Sequence, residues 1–363
     1  GSTPAPIGEE AAPEEAAPLS PAAEERAPLD PSHPLAGVPN FEDLREMEPE
    51  PLAGKAAEVA GGLQGVCGEY LTRCVLSKTW NLRDAALQRL ALDLRQGAFA
   101  SMRPAELLRG LVAVLLQTVP DRSVQVFASS AALLQAVCQT LPLQRPEAQA
   151  ALEPLLPALA DRLADANARA IKTAADAHVD LARCPAVGAP FATRLLLQQP
   201  KKKMNPKGYS SRLQLLASLV QEAGVQPDSR EGVPLEPAMQ LAMEWFGNPA
   251  ADVRDSAVRL VGACFARVGL GRVERHLASL KPAQREKFDA EFERVSGDGR
   301  AASRSPRTSP TGRGRGATPL GGPSGGGGRG APGHFEAAME NYGDLPAPQV
   351  PPPRSGSGQR QRP

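Results

Sequence analysis

The residues best suited to chemistry in this chain are a tryptophan and a recurring series of bases, and they suit recognition of an acidic surface. Four short segments place a basic residue shortly after an Asp or Asn: Asp121-Arg122-Ser123-Val124, Asp165-Ala166-Asn167-Ala168-Arg169, Asn205-Pro206-Lys207, and Asn248-Pro249 leading through Val253 to Arg254. Asp and Asn cap helices by accepting orphan backbone N–H bonds, so part of the pattern is structural. The base is not needed for a cap. A cation in the first helical turn opposes the helix dipole by about 0.3 kcal/mol or more, so its recurrence against local preference points to use. A fifth segment, Ser77-Lys78-Thr79-Trp80-Asn81-Leu82-Arg83, sets an indole among polar neighbours, and exposed Trp is a common binding anchor. The run Lys201-Lys202-Lys203, with Tyr209 nearby, reads either as a solvated loop or as an auxiliary contact to an acidic surface.

The same survey argues against other chemistries. His178 and His276 lack the Cys or acid spacing of a metal site, and His33 and His334 fall in polar terminal stretches. No Walker-type loop, nucleophile elbow or HEXXH segment is present. The Gly-rich tract ending at Arg329 does not follow a strand and reads as linker. No cofactor is expected, and the chain does not read as an enzyme. Cys67, Cys74, Cys138, Cys184 and Cys264 are an odd, scattered set, against a disulfide framework. Cys138 and Cys264 occupy apolar helical positions and read as buried thiols. Trp245, with Met239, Leu241, Ala242 and Phe246 around it, reads as core. The middle of the chain has few aromatics for base stacking, against a nucleic-acid ligand. No stretch approaches a membrane span and no secretory signal is visible, which suits a soluble intracellular protein.

The elements that must hold these residues are helices. In the middle of the chain apolar residues recur at helical spacing, as in Leu87, Leu90, Ala91 and Leu94, or Val253, Ala257, Val261, Cys264 and Val268. The pattern predicts helix pairs at 55–75 with 81–96, 103–119 with 122–141, 146–165 with 168–183, 187–198 with 208–224, 235–246 with 250–268, and 271–279 with 282–296. The period of about 40 residues is that of HEAT repeats. Pro104, Pro146 and Pro282 fit first turns, and Gly97, Gly224 and Gly269 fit helix ends. The expected architecture is an all-α solenoid in which the loops within pairs share one edge, lining up the bases.

The prolines and glycines crowd the two ends. Residues 1–54 carry about ten more acids than bases, and 297–363 are rich in Gly, Ser, Arg and Pro. Neither stretch promises enough apolar burial to offset ordering, so 55–296 is expected to fold between two disordered tails. In the C-terminal stretch, Ser305-Pro306 and Ser309-Pro310 lie among arginines, and 334–342 form a short amphipathic patch. Gly1-Ser2 reads as a cloning scar, which marks the chain as excised from a longer protein.

The stretch from Ser77 through Trp80 and Arg83-Asp84-Ala85-Ala86-Leu87 resembles the first loop of TOG domains, tubulin-binding arrays of six HEAT repeats. The stretch from Asn248-Pro249 to Val253-Arg254-Asp255-Ser256-Ala257 looks like a later loop and helix of the same domains. Ser77-Lys78-Thr79-Trp80, together with Leu280-Lys281-Pro282, is most similar to the TOG domain of the ciliary-tip centrosomal protein of 104 kDa family. The likeness covers about 55–296; that family's jelly-roll, coiled-coil and zinc-finger modules are absent here. It implies a TOG-type paddle whose loop edge binds αβ-tubulin and so regulates microtubule dynamics or ciliary length. On that likeness Trp80 packs on tubulin, Arg122, Arg169, Lys207 and Arg254 face it, and Lys78 and Arg83 add charge. The run Lys201-Lys202-Lys203 departs from the family by lengthening the fourth loop. Implied with it are residence on the microtubule cytoskeleton, at a cilium or flagellum tip or centriole, and other ciliary-tip or centriolar partners bound by regions outside this chain. The competing expectation is a general HEAT scaffold that binds a peptide or helix along its concave face.

Overall fold

The structure, a computed structural model, describes residues 32–302, with side chains through 297. The two Ser-Pro pairs and the 334–342 patch lie outside the described residues. Ahead of the array stands one helical turn, α1 (Phe41–Leu44). The array begins with α2 (Lys55–Val75) and α3 (Trp80–Arg95), followed by α4 (Pro104–Thr118) and α5 (Val124–Thr140). In the third pair the first helix is broken into α6 (Arg145–Leu152), a 3-10 turn (Glu153–Leu155) and α7 (Leu156–Arg162), and α8 (Ala168–Arg183) completes it. The fourth pair is α9 (Ala189–Ala192) with α10 (Pro206–Ala223). Then come α11 (Leu235–Phe246) with α12 (Ala251–Val268), and α13 (Leu270–Leu277) with α14 (Pro282–Ala302).

The second helices of successive pairs, α3, α5, α8, α10, α12 and α14, pack side by side into one layer. On the other side α2 packs on α4 and α4 on α6. A continuous apolar core runs between the layers, including the expected stripes from Leu87 to Leu94 and from Val253 to Cys264. Pro104, Pro206 and Pro282 each open a helix, where the missing N–H costs little. Gly224 and Gly269 cap α10 and α12 at φ of 78° and 75°. Gly110 is required where α4 meets α2, because a Cβ there would collide with Val66.

Several expectations are corrected. The N-terminal stretch does not stay apart from the domain through residue 54. Leu35, Val38, Phe41 and Leu44, spaced three residues apart, are buried in the common core, while Asp43, Glu46 and Glu48 stay exposed. The His33 ring stands 5.0 Å from Phe41 and 5.4 Å from Tyr70. Arg89 donates to the Ala36 carbonyl, and Arg73 to those of Pro49 and Glu50. Acidic composition hid a strap whose apolar side is sufficient to dock. At the far end α14 continues through Ala302, past the expected limit at 296.

The helix expected over 187–198 is only the short α9, followed by turns to Leu197. Past Ala192 the chain tightens into three-residue turns, with the Arg194 N–H on the Phe191 carbonyl and the Gln198 N–H on that of Leu195. Buried Arg212 reaches in from α10. Its Nε donates to Leu196 O at 2.7 Å, and Nη2 donates to the carbonyls of Leu195 and Gln198. Burial lowers this guanidinium to about 10, so it keeps its charge at neutral pH. A two-residue parallel pair, β1 (Val225–Gln226) and β2 (Val233–Pro234), joins Val225 to Val233 between α10 and α11, where no strand is expected.

Of the thiols, Cys264 is fully buried as expected, but Cys138 is half-buried beside Cys184, whose Sγ lies 3.8 Å from the Cys138 carbonyl. All five cysteines are free.

Candidate functional site

The loops within pairs emerge at one edge, where the second helices begin. The first loop, between α2 and α3, is held from two sides. The Ser77 hydroxyl donates to the Glu50 carboxylate at 2.7 Å and accepts the Thr79 N–H at 3.0 Å. The hydrogen bond from Ser77 is the main reason the Glu50 carboxyl is lowered. From the helix side, Arg83 Nη1 donates to the carbonyls of Ser77 and Lys78 at 2.8 and 2.9 Å. The loop so fixed carries the exposed Lys78 and delivers Trp80 as the first residue of α3, 47% exposed. Trp245, by contrast, is 4% exposed, donates from Nε1 to Gln199, and meets Tyr209 edge-on at 4.7 Å.

The first four loops are each bonded to the next. Arg83 Nε lies 2.6 Å from Asp121 Oδ2 and Nη2 lies 3.1 Å from Oδ1, which ties the first loop to the second. Asp121 also accepts the Ser123 N–H at 2.8 Å. Arg162 ties the second loop to the third: it donates to the carbonyls of Val119 and Asp121, pairs with Asp165 at 2.8 Å, and lies 4.5 Å over the Phe127 ring. The third and fourth loops meet where Asn205 Nδ2 donates to Ala164 O at 3.1 Å and Lys207 Nζ to Ala166 O at 3.4 Å. The Ser210 hydroxyl, bonded to Ser256 at 2.8 Å, reaches the Asp252 carbonyl at 3.5 Å beside the fifth loop. The first four connectors therefore run side by side as one hydrogen-bonded strip, and the fifth adjoins it through the packing of α10 on α12.

Capping accounts for the Asp and Asn half of the repeated motif. Asn167 accepts the Arg169 N–H at 2.8 Å and Asn205 accepts that of Gly208 at 2.6 Å. Asp121 and Asn248 act one turn earlier, accepting the N–H two residues on. The bases divide into two kinds. Lys78, Arg122, Arg169, Lys207 and the run Lys201-Lys202-Lys203 are exposed. Among the described residues the side chains of Lys78 and Arg122 have no hydrogen-bond or ion-pair partner. Arg169 reaches only Gln125 Oε1, at 3.1 Å.

Arg83 and Arg254 are bonded to their own loops. The family likeness has Arg83 adding charge to the binding face, but its guanidinium is turned inward onto Asp121 and its own loop. Arg254 does the same at the fifth loop, donating to Asn248 O at 2.8 Å and Pro249 O at 2.6 Å. In both cases the arginine brackets the carbonyls six and five residues before it. Sequence reading missed Glu50, Asp121 and Arg162 as organisers of the strip. Their partners lie tens of residues away, where helical periodicity leaves no signal.

Half-buried Asp84 links α3 to α5 behind the strip. Burial pushes its carboxyl up, against hydrogen bonds from Ser129 and Gln88 and the charge of Arg169. Among the described residues no group of His, Cys, Asp and Glu could hold a metal, and no helix is long and apolar enough to cross a membrane. Burial raises the Cys67, Cys74 and Cys264 thiols to about 12, which keeps them protonated. The strip offers an indole, cations and ordered backbone, a surface for binding.

Comparison with solved structures gives the same architecture. The structure of the TOG domain of human Cep104 superposes with a TM-score of 0.57 at 24% identity, over 69% of this chain and 99% of that one. A second CEP104 TOG domain gives 0.55 at 25% identity, over 68% of this chain and all of that one. A chain described under the words "TOG-tubulin binding specificity promotes microtubule dynamics and mitotic spindle formation" gives 0.51 at 13% identity, over 70% and 93%. No curated protein matches. The family model for the TOG domain of centrosomal protein CEP104 matches residues 58–260, from early α2 into α12, more than half of the chain. The HEAT-type solenoid, its row of intra-pair loops and this match together place the chain in the CEP104 TOG-domain family, whose fold is a binding module and not an enzyme.

Proposed function

We propose that this domain binds αβ-tubulin through the strip of intra-pair loops and thereby acts on microtubule dynamics, catalysing no reaction. The observation that carries this reading is the exposed Trp80 at one end of a continuous, hydrogen-bonded row of loops bearing Lys78, Arg122, Arg169 and Lys207. Membership of a TOG family supports it, as does the structural relative described in terms of TOG-tubulin binding specificity. In this reading Trp80 is the desolvated anchor. The cations steer encounter and fix orientation, each contributing about 0–1 kcal/mol by itself. Arg83 and Arg254 are positioning residues, not contacts. Lys201-Lys202-Lys203 extends the cationic edge at the fourth loop. The folded domain spans the strap and solenoid, residues 32–302, and its site of action is the microtubule cytoskeleton, at the tip of a cilium or flagellum or at a centriole.

Gel filtration of the chain with purified tubulin tests this. A shifted complex is expected at low salt, weakened by charge reversal at Arg122, Arg169 and Lys207 and abolished by Trp80→Glu. Unaltered elution of both proteins at low salt would contradict it. Binding that survives all of these changes would favour a general scaffold using another face.

A further inference from the structure

At the edge opposite Trp80, where the second helices end, the fold leaves an apolar cavity of about 210 Å³ open to solvent. Leu94 from α3, Phe99 and Met102 from the connector, Leu107 from α4, and Leu141 and Pro142 after α5 line it. Phe99, Met102 and Leu141 are only partly covered. Arg95, which follows the lining residue Leu94, and Arg103, which lies between the lining residues Met102 and Pro104, are exposed, with Arg103 held 3.1 Å from Glu106. The space compares with cavities that admit a benzene ring.

One segment of the chain has the matching composition. Phe335 and Tyr342 are the aromatic residues of 303–363, and Glu336, Glu340 and Asp344 are its acids, so both classes fall within 335–344. Phe335, Ala338, Met339 and Tyr342 follow i, i+3, i+4, i+7 spacing, and Glu336 and Glu340 sit on another face. The stretch leading to it, from 303 to 333, carries Arg, Gly, Ser and Pro and no acid. We propose that residues 335–345 dock into this cavity, with an aromatic ring inserted and the acids against Arg95 and Arg103.

Reach and direction permit it within one chain. α14 starts at the loop edge and ends at Ala302, so the chain leaves the solenoid at the edge that holds the cavity. Helix layers spaced about 10 Å apart put α3 roughly 50 Å from α14. The 32 residues from 303 to 334 are enough to span up to about 100 Å. An effective concentration on the order of 1 mM or somewhat less then makes a weak contact substantially occupied. The cavity lies a full helix length from Trp80, so docking leaves the loop edge free.

Hydrogen exchange on the full chain tests the proposal without tubulin, and so independently of the proposed function. Amides of residues 98–103 are expected to exchange about five-fold slower in the wild-type chain than in Phe335→Asp. Met102→Glu is expected to release the amides of 336–343 to the same extent. The protection should not depend on protein concentration. Equal exchange at 98–103 in the wild type and Phe335→Asp would overturn the proposal. Protection that grows with concentration would also overturn it, assigning the occupant to a second copy.

Discussion

Arg83 and Asp121, 38 residues apart, join the first two loops through two nearly parallel hydrogen bonds of 2.6 and 3.1 Å. The same guanidinium holds the two carbonyls preceding Thr79, so one side chain sets both the shape of the Trp80 loop and its register against the next. The pair is mostly shielded, with side chains 18% and 8% exposed. Asp121→Ala leaves a shielded cation unpaired and removes the acceptor for Ser123 N–H. A loss on the order of 2–3 kcal/mol is expected. It should read as a drop of several degrees in thermal unfolding, with weakened tubulin binding.

The two tryptophans are expected to separate stability from binding. Trp80→Ala should cost only about 1–2 kcal/mol of stability, because about half of the indole is already exposed. It should cost tubulin affinity at least about thirty-fold, as loss of an interface anchor does. Trp245→Ala should do the reverse at the level of the fold, destabilising by about 3–5 kcal/mol through cavity formation. Denaturant titration and a binding isotherm on each variant check both halves.

The docked strap makes the N-terminal segment part of the domain. Phe41→Ala removes a ring that is 7% exposed and packed on His33, and about 3 kcal/mol of stability should go with it. Exchange at the first-loop amides should rise too, since Glu50 on the same strap holds Ser77. Wild-type stability in that variant would mean that the strap is not docked.

His178 on α8 lies 1% exposed, with Nδ1 2.8 Å from the Ala174 carbonyl. Burial lowers it to about 4 from 6.5. Between those values the unfolded chain binds a proton that the folded one refuses, so stability is complete above pH 6.5 and falls as the pH drops toward 4. The decline from pH 7.5 to pH 5 should be about 2 kcal/mol from this residue alone. Asp84 and Asp180, with carboxyls raised by burial, act in the opposite sense near the lower end. Denaturant unfolding at the two pH values checks the slope, which should flatten in His178→Gln.

Much of this fold can be read from residue spacing, and the failures have local causes. The long second helices declare themselves by apolar periodicity and by Pro and Gly at their ends. The exposure of Trp80 and the burial of Trp245 follow from their neighbours. The strap from Leu35 to Leu44 is masked because its apolar positions are diluted by acids, and only the partner surface reveals that they suffice. The turns that replace the rest of α9 have their Leu195, Leu196 and Gln198 carbonyls bonded by Arg212 from the next helix, a partner that local periodicity does not reveal. The inward turn of Arg83 and Arg254 is invisible for a related reason. A base at a loop looks the same in sequence whether it faces a partner or its own carbonyls.

The claim that the loop edge faces tubulin rests on which surface touches it, and photo-crosslinking reads that directly. Trp80 and Leu270 are almost equally exposed, at 47% and 46%, and lie on opposite edges. A benzophenone amino acid placed at either position gives matched probes on one domain. The account predicts a tubulin adduct from position 80 and none from position 270. An adduct from position 270 with none from position 80 would contradict it.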